Sequence, residues 1–268
     1  MEMLVLGCSG SVPGPSAAAS GYFLRSAAGE GVVVDLGSGV LKQMQRYEGI
    51  DPSGCHVVLS HMHADHCSDV PSLLVWRRYH PFAPASTRHK LIGPSIAAKH
   101  IGQASADSPE APDDLTDTFE VLDHVVGPES DFDAETWPHH TIGDLRIYAV
   151  DAIHPTEAYI IRFEDSSGFS VVYSGDTAPT PALARIAAGA DVLVCEATWG
   201  DGGATMPEGM HLSGAEAGEA AQAAGVGRLV LTHIPPWGDK AATVAAAARH
   251  YTGPIEVARP GLRISEQH

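Results

Sequence analysis

Four apolar runs in this 268-residue chain stop at a histidine or an aspartate. Cys-His-Val-Val-Leu-Ser runs into His61-Met62-His63-Ala64-Asp65-His66; Val-Asp-Ala-Ile stops at His154; Val-Val-Tyr-Ser-Gly stops at Asp176; Leu-Val-Leu-Thr stops at His233. Runs of this length and β-branched content read as buried strands. A layered α/β fold that collects the ends of such strands along one edge brings those polar residues together. The first cluster is the most demanding. Three imidazoles and one carboxylate within six residues cannot face one way along a strand or a helix. On a loop at a strand end they converge. Imidazole with carboxylate suits zinc, manganese or iron(II), and no CxxC pair stands nearby to close a structural zinc site. A lone histidine in such a loop reads as a solvated turn residue; a cluster followed by three more strand-end ligand types in order does not.

The remaining pattern is that of one α/β domain over 1–268. Strands are expected at 2–6, 21–25, 31–35, 55–59, 119–126, 145–149, 158–163, 169–173, 192–196 and 229–232, with short ones near 255–257 and 262–264. Helices are expected at 38–47, 68–79 (Pro71 in the first turn), 181–188, 215–224 and 241–251. Ser213-Gly214-Ala215-Glu216 has the form of a capping box. Residues 103–118, acidic and proline-containing, read as a surface connection. Two runs of strands interleaved with helices predict two sheets packed face to face with helices outside.

Taken in order, Asp35 in DLGSG, His61 to His66 in HMHADH, His154 in IHP, Asp176 in SGDT and His233 in LTH resemble the motifs of the metallo-β-lactamase superfamily, over essentially the whole chain. The resemblance implies an αββα sandwich with two metals in a groove at one edge. It assigns His61, His63 and His154 to one ion, Asp65, His66 and His233 to the other, and Asp176 to both. Asp35 is implied as an orienter of a ligand rather than a ligand. Zinc is the first expectation for both ions, with manganese or iron accepted by the same donors. Glu196 in EAT and His211 in HLS resemble the phosphodiesterase branch that contains ribonuclease Z, which implies that Glu196 orients His211 and that His211 protonates the leaving oxygen. Asp65 is expected to steer the attacking hydroxide shared between the two ions.

Charge narrows the substrate. The chain carries 33 acidic against 16 basic residues, a net −17. A long polyanion is repelled by such a field, whereas a small phosphodiester meets its positive charge at the metals. Ribonuclease Z proteins commonly carry a long basic arm between the third and fourth motifs; here His154 and Asp176 are separated by a span that fits only two strands and a turn. The chain as a whole is most similar to the actinobacterial atypical cyclic-nucleotide phosphodiesterases of the superfamily, which implies 3′,5′-cyclic nucleotides of the cAMP type as substrate. The alternatives are tRNA 3′-processing and a lactonase or thioesterase activity, the latter disfavoured by the Glu196–His211 pair. A flavodiiron-type redox role lacks the expected glutamate in the first cluster, and a non-catalytic scaffold would have lost ligands.

Other features are read more conservatively. The start of the sequence lacks a signal peptide's basic and apolar regions, and no apolar stretch reaches membrane-span length, so a cytoplasmic protein with no membrane partner is expected; the resemblance to the family leaves a homodimer open, and the sequence does not fix the oligomeric state. Cys8, Cys55, Cys67 and Cys195 read as small buried hydrophobes, Cys67 beside the ligand cluster. Trp76 and Tyr79 are expected to pack at the core or rim, and Trp199 and Trp237 stand in motif loops where a base could stack. Arg77 and Arg78 are expected on a solvated helix surface. GCSGSVPG, which matches no phosphate-loop pattern, is expected to form a tight turn near the groove, and 200–210 a loop or lid over it.

Overall fold

The computed structural model describes residues 1–202 and 206–266. Fourteen strands among these residues form two seven-stranded sheets. The first sheet contains β1 (Glu2–Gly7), β2 (Gly21–Arg25), β3 (Gly31–Val34), β4 (Cys55–Val58), β5 (His89–Gly93), β6 (Phe119–Asp123) and β14 (Arg263–Ser265), ordered β14-β1-β2-β3-β4-β5-β6. The second contains β7 (His140–Ile142), β8 (Leu145–Asp151), β9 (Tyr159–Glu164), β10 (Ser170–Tyr173), β11 (Val192–Glu196), β12 (Arg228–Thr232) and β13 (Ile255–Val257), ordered β13-β12-β11-β10-β9-β8-β7. Each sheet is mixed. Strands β3 to β6 pair in parallel, as do β10 to β13, and these parallel stretches carry their ligand residues at one end.

Side-chain alternation explains the layering. In β2, Tyr22 and Leu24 face the inter-sheet core while Phe23 faces outward. The inter-sheet core also takes Val5, Val34 and Val58 from one sheet and Ile161, Phe163, Val171 and Val194 from the other. Outside the first sheet, Val40, Met44, Leu73, Leu74 and Ile101 from α1 (Val40–Met44), α3 (Val70–Tyr79) and α4 (Ala97–Ala104) cover the outward residues. Outside the second, α5 (Pro181–Ile186), α6 (Gly214–Ala224) and α7 (Lys240–Ala247) do so through Leu183, Ile186, Ala217, Ala221 and Ala247. Small residues let helix and sheet approach closely, and each buried apolar side chain contributes roughly 1.5–3 kcal/mol before entropy is set against it. The αββα sandwich is as the sequence implied.

The differences have local causes. β5, α4 and β7 were not expected: HKLIG and HTI open on polar residues and lack a continuous apolar run, and α4 runs into the acidic stretch read as a connection. The expected 38–47 helix shrinks to Val40–Met44 because Gly39, at φ 90, starts it from a left-handed turn. The expected 68–79 helix is preceded by a separate single turn, α2 (Ala64–Cys67). Arg77 is a clear correction. It is buried, with its guanidinium donating to the carbonyls of Pro52, Ser53 and Cys55 and stacked 4.5 Å over the Phe119 ring. It ties α3 to the loop before β4. Arg78 pairs with Asp113 and Asp117, Tyr79 is 72% exposed rather than packed, and Trp76 lies against His80. No described helix is long and apolar enough to cross a membrane.

Candidate metal centre

The seven residues picked out by strand endings meet at one edge of the sandwich. α2 is the reason HMHADH can converge. His61 ends an extended segment and bridges to Ala158 of the opposite sheet. His63 caps the helix in an extended conformation, and Asp65 and His66 then turn back within its single turn. His61, His63 and His154 bring one ring nitrogen each within 4.8 Å of one another, as do the ligand atoms of Asp65, His66, Asp176 and His233. Asp176 lies between the groups: its Oδ2 is 3.7 Å from His61 Nε2, while its Oδ1 is 3.3 Å from His66 Nε2 and 3.5 Å from His233 Nε2. Asp65 Oδ2 is 3.1 Å from His233 Nε2 and 3.6 Å from His66 Nε2.

The surrounding hydrogen bonds fix which imidazole nitrogens are free. Asp35 Oδ2 accepts from His66 Nδ1 (2.7 Å), from the Ser60 hydroxyl (2.7 Å) and from the Tyr173 hydroxyl (2.9 Å), and its Oδ1 accepts from Ser60 N. Because the Ser60 proton goes to Asp35, Ser60 Oγ accepts from His61 Nδ1 at 3.1 Å. Thr198 gives its proton to Glu196 Oε2 at 2.8 Å and so accepts from His233 Nδ1 at 2.7 Å. His154 Nδ1 donates to the Met210 carbonyl. Four imidazoles are thereby held as Nδ1–H tautomers with Nε2 turned into the cluster, the arrangement a metal-ligating histidine adopts. His63 has no such brace; its Nδ1 lies 3.0 Å from His154 Nε2.

The donor set fits divalent cations. His61 Nε2 and Asp176 Oδ1 are buried without a hydrogen-bond partner, and His66 and His233 turn Nε2 toward Nε2 at 3.2 Å. Buried polar atoms left so are costly unless something else satisfies them. Electrostatics agree. Burial pushes the pKa of His61, His63 and His154 down, which keeps their lone pairs available. Burial also opposes charge on His66, yet Asp176 and Asp35 outweigh it and raise its pKa, so a proton there stands where the carboxylates call for a cation.

Backbone strain marks the same place. Ser11, Asp35 and His233 are the non-glycine residues with positive φ among the described residues (62°, 55° and 55°), and all three border the cluster. Such conformations persist where surrounding contacts over-determine them. Two glycines make the approach possible. A Cβ at Gly37 would lie 1.9 Å from the Asp65 carbonyl, and one at Gly10 would lie 2.1 Å from the His233 carbonyl. The GCSGSVPG segment is therefore the turn that packs on the His233 loop, with Ser9 bridged to Ile234 and Ser11 N facing His233 Nε2.

Glu196 and His211 also stand together. Glu196, fully buried, accepts from His211 Nδ1 at 3.0 Å and from Thr177 N at 2.8 Å. His211 Nδ1 lies 3.8 Å from Asp176 Oδ2, so the pair adjoins the cluster. Burial disfavours charge on His211, but Glu196 overcomes it and raises the pKa. Trp199 stands edge-on to the His211 ring at 4.9 Å. Trp237 is 73% exposed. Cys67 donates to the Met62 carbonyl and belongs to no ligand group; all four cysteines are buried and unpaired, burial pushing Cys8 and Cys67 up to about 11 and Cys55 to about 12. Sequence reasoning missed Ser60, Tyr173 and Thr198. Ser60 and Thr198 adjoin motif residues and carry hydroxyls, which was the available signal; Tyr173 in mid-strand gave none. Of the expected 200–210 lid, residues 203–205 lie outside the described residues.

Residues 31–234 match the family model described as "Beta-lactamase superfamily domain". The chain belongs to the metallo-β-lactamase superfamily, and it is a metal-dependent hydrolase. A Mycobacterium leprae (strain TN) protein is 44% identical over 97% of this chain and 87% of its own length. The ribonuclease Z of Mycolicibacterium paratuberculosis (strain ATCC BAA-968 / K-10) is 30% identical over 96% of this chain and 95% of its own. Among solved structures, the metallo-β-lactamase fold protein YhfI from Bacillus subtilis superposes with a TM-score of 0.79 at 25% identity, covering 98% of both chains.

Proposed function

We propose that this enzyme hydrolyses small phosphodiesters, with 3′,5′-cyclic nucleotides of the cAMP type as the leading substrates, using two divalent cations, zinc first. His61, His63 and His154 would hold one ion and Asp65, His66 and His233 the other, with Asp176 contributing to both. Bound there, the ions supply an acidified water and neutralise the charge that gathers on the phosphoryl oxygens. The chain's own groups do the rest. Asp65 accepts a hydrogen bond from the attacking water and orients it. Asp35, Ser60 and Thr198 keep the ligand rings turned. Glu196 takes the Nδ1–H of His211, which leaves Nε2 to give a proton to the departing oxygen.

The observation that carries this reading is the Glu196–His211 pair, 3.0 Å apart and beside Asp176. A leaving alkoxide needs a proton donor placed next to the metals, and this pair is one. The net charge of −17 and the short connection from His154 to Asp176, filled by β9 and β10, favour a small diester. Similarity to ribonuclease Z favours a second reading, cleavage at the 3′ end of pre-tRNA. The four buried, unpaired cysteines fit a reducing compartment, so the cytoplasm is the proposed place of action.

Metal-loaded protein assayed on cAMP, cGMP, a 2′,3′-cyclic nucleotide, bis-p-nitrophenyl phosphate, a pre-tRNA, a lactone and a thioester separates these readings. Turnover of the small diesters ahead of all the others is expected. Faster cleavage of pre-tRNA, or turnover confined to the lactone or thioester, contradicts the proposal.

A further inference from the structure

Beyond His211 the molecule opens into a cavity of about 600 Å³, lined among the described residues by Trp199, Asp201, Met206, Glu208, His211 and Glu216, with prolines at its edge. His211 is the shared wall. One side of its surroundings is Glu196 and Asp176, the other is this cavity. His211 thus borders both the metal cluster and the cavity, and a body attached to the oxygen it protonates has the cavity to occupy.

The lining is selective. A volume of this size takes a nucleoside-sized body. The Trp199 ring, held edge-on to His211, with Met206 and Pro207, offers apolar surface to a flat ring. Glu216 is already engaged: it accepts from Ser213 N and Oγ in the capping box at the start of α6. Asp201 and Glu208 are exposed on the cavity wall, and no lysine or arginine is among its described lining residues. Carboxylates without cations accept hydrogen bonds from hydroxyl and amino groups and repel phosphate.

We infer that this cavity holds the nucleoside that bears the leaving oxygen, carrying no charge beyond the diester itself, with its hydroxyl or amino groups donating to Asp201 and Glu208 while its base packs on Trp199. The inference rests on the phosphodiesterase reading above and specifies the side of the diester it acts on. In the step itself a water oxygen forms the new bond to phosphorus. The bond from phosphorus to the leaving oxygen breaks, its electron pair stays on that oxygen, and the proton from His211 Nε2 neutralises it. The proton released by water balances the one His211 gives up; a linear diester yields a phosphomonoester and a separate alcohol, and a 3′,5′-cyclic nucleotide yields one nucleoside monophosphate that carries both groups. A leaving nucleoside that carries a further phosphate would set that charge against Asp201 and Glu208, which restricts the enzyme to short diesters by repulsion rather than by size.

Two measurements on the metal-loaded protein test this. In the first, adenosine is titrated and the indole N–H resonances are followed, with the Trp199 signal assigned through Trp199→Phe. Adenosine is expected to move the Trp199 resonance saturably and to leave that of Trp76 in place; an unmoved Trp199 resonance overturns the inference. In the second, hydrolysis of the dinucleotide ApA is compared with pApA and ApAp, which add one phosphate to either nucleoside. One of the two, the form charged on the leaving side, is expected to be cut at least about tenfold more slowly than ApA, and the exposed charge reversal Asp201→Lys with Glu208→Lys is expected to remove that penalty. Equal rates for all three, or a penalty unchanged by the charge reversal, overturn it. If no diester is turned over, the phosphodiesterase reading falls, while the adenosine titration still decides what the cavity holds.

Discussion

The two halves of the metal cluster are built differently. Of Asp65, His66, Asp176 and His233, all but half-buried Asp65 lie deep, and two are clamped from behind: His66 by buried Asp35, His233 by Thr198 on Glu196. In the other group, His63 and His154 lie nearer the surface. His61 is buried and braced through Ser60, His154 rests on the Met210 carbonyl of the 206–210 loop, and His63 is held by His154 alone. Partners that fix a ligand's tautomer and angle contribute much of a site's affinity. The comparison teaches that one position is preorganised by the sandwich core and the other by loops. The deep position is expected to hold its ion tightly and the outer one to exchange.

The largest effect is expected where the halves join. Asp176→Ala removes the group shared by both, so metal content by mass spectrometry should fall at both positions. Turnover should drop further than the roughly 10–100-fold that loss of an outer partner costs. Two ions per chain retained in this variant would break the comparison. Next, His211→Ala should lower kcat by about 10²–10⁴ while two ions remain bound, since it removes a proton donor and no ligand. Asp35→Asn should follow: its amide cannot accept from all four donors now facing the carboxylate, and affinity at the deep position is expected to fall about 10–100-fold in competition with a chelator. In the same assay His63→Ala should cost the outer ion and spare the deep one. The smallest change is Tyr173→Phe, which deletes one hydrogen bond to buried Asp35 and is expected to lower stability by about 1.5–3 kcal/mol in denaturant unfolding.

How much of this was legible in the sequence follows the same division. The residues that converge at strand ends could be read, because an apolar run that stops at His154, Asp176 or His233 states both its burial and its end. The sandwich could be read from the order of strands and helices. What lay hidden was support acting across the fold. Tyr173 reaches Asp35 over 138 positions of sequence, and nothing in the residues around it marks that contact. Arg77 was misread for a related reason: a helical arginine next to another is normally solvated, and only acceptors distant in sequence, the carbonyls of Pro52, Ser53 and Cys55 and the His89 ring among them, make its burial favourable. The short strands β5 and β7 were missed because HKLIG and HTI open on polar residues and lack the continuous apolar run that marks strands of similar length such as β3.

Anomalous diffraction at the zinc edge from metal-loaded crystals tests the central claim most directly. Two peaks are expected, one among His61, His63 and His154 and one among Asp65, His66 and His233, with Asp176 reaching both and the deeper peak the more fully occupied. A single peak, or peaks away from these seven side chains, would contradict the account.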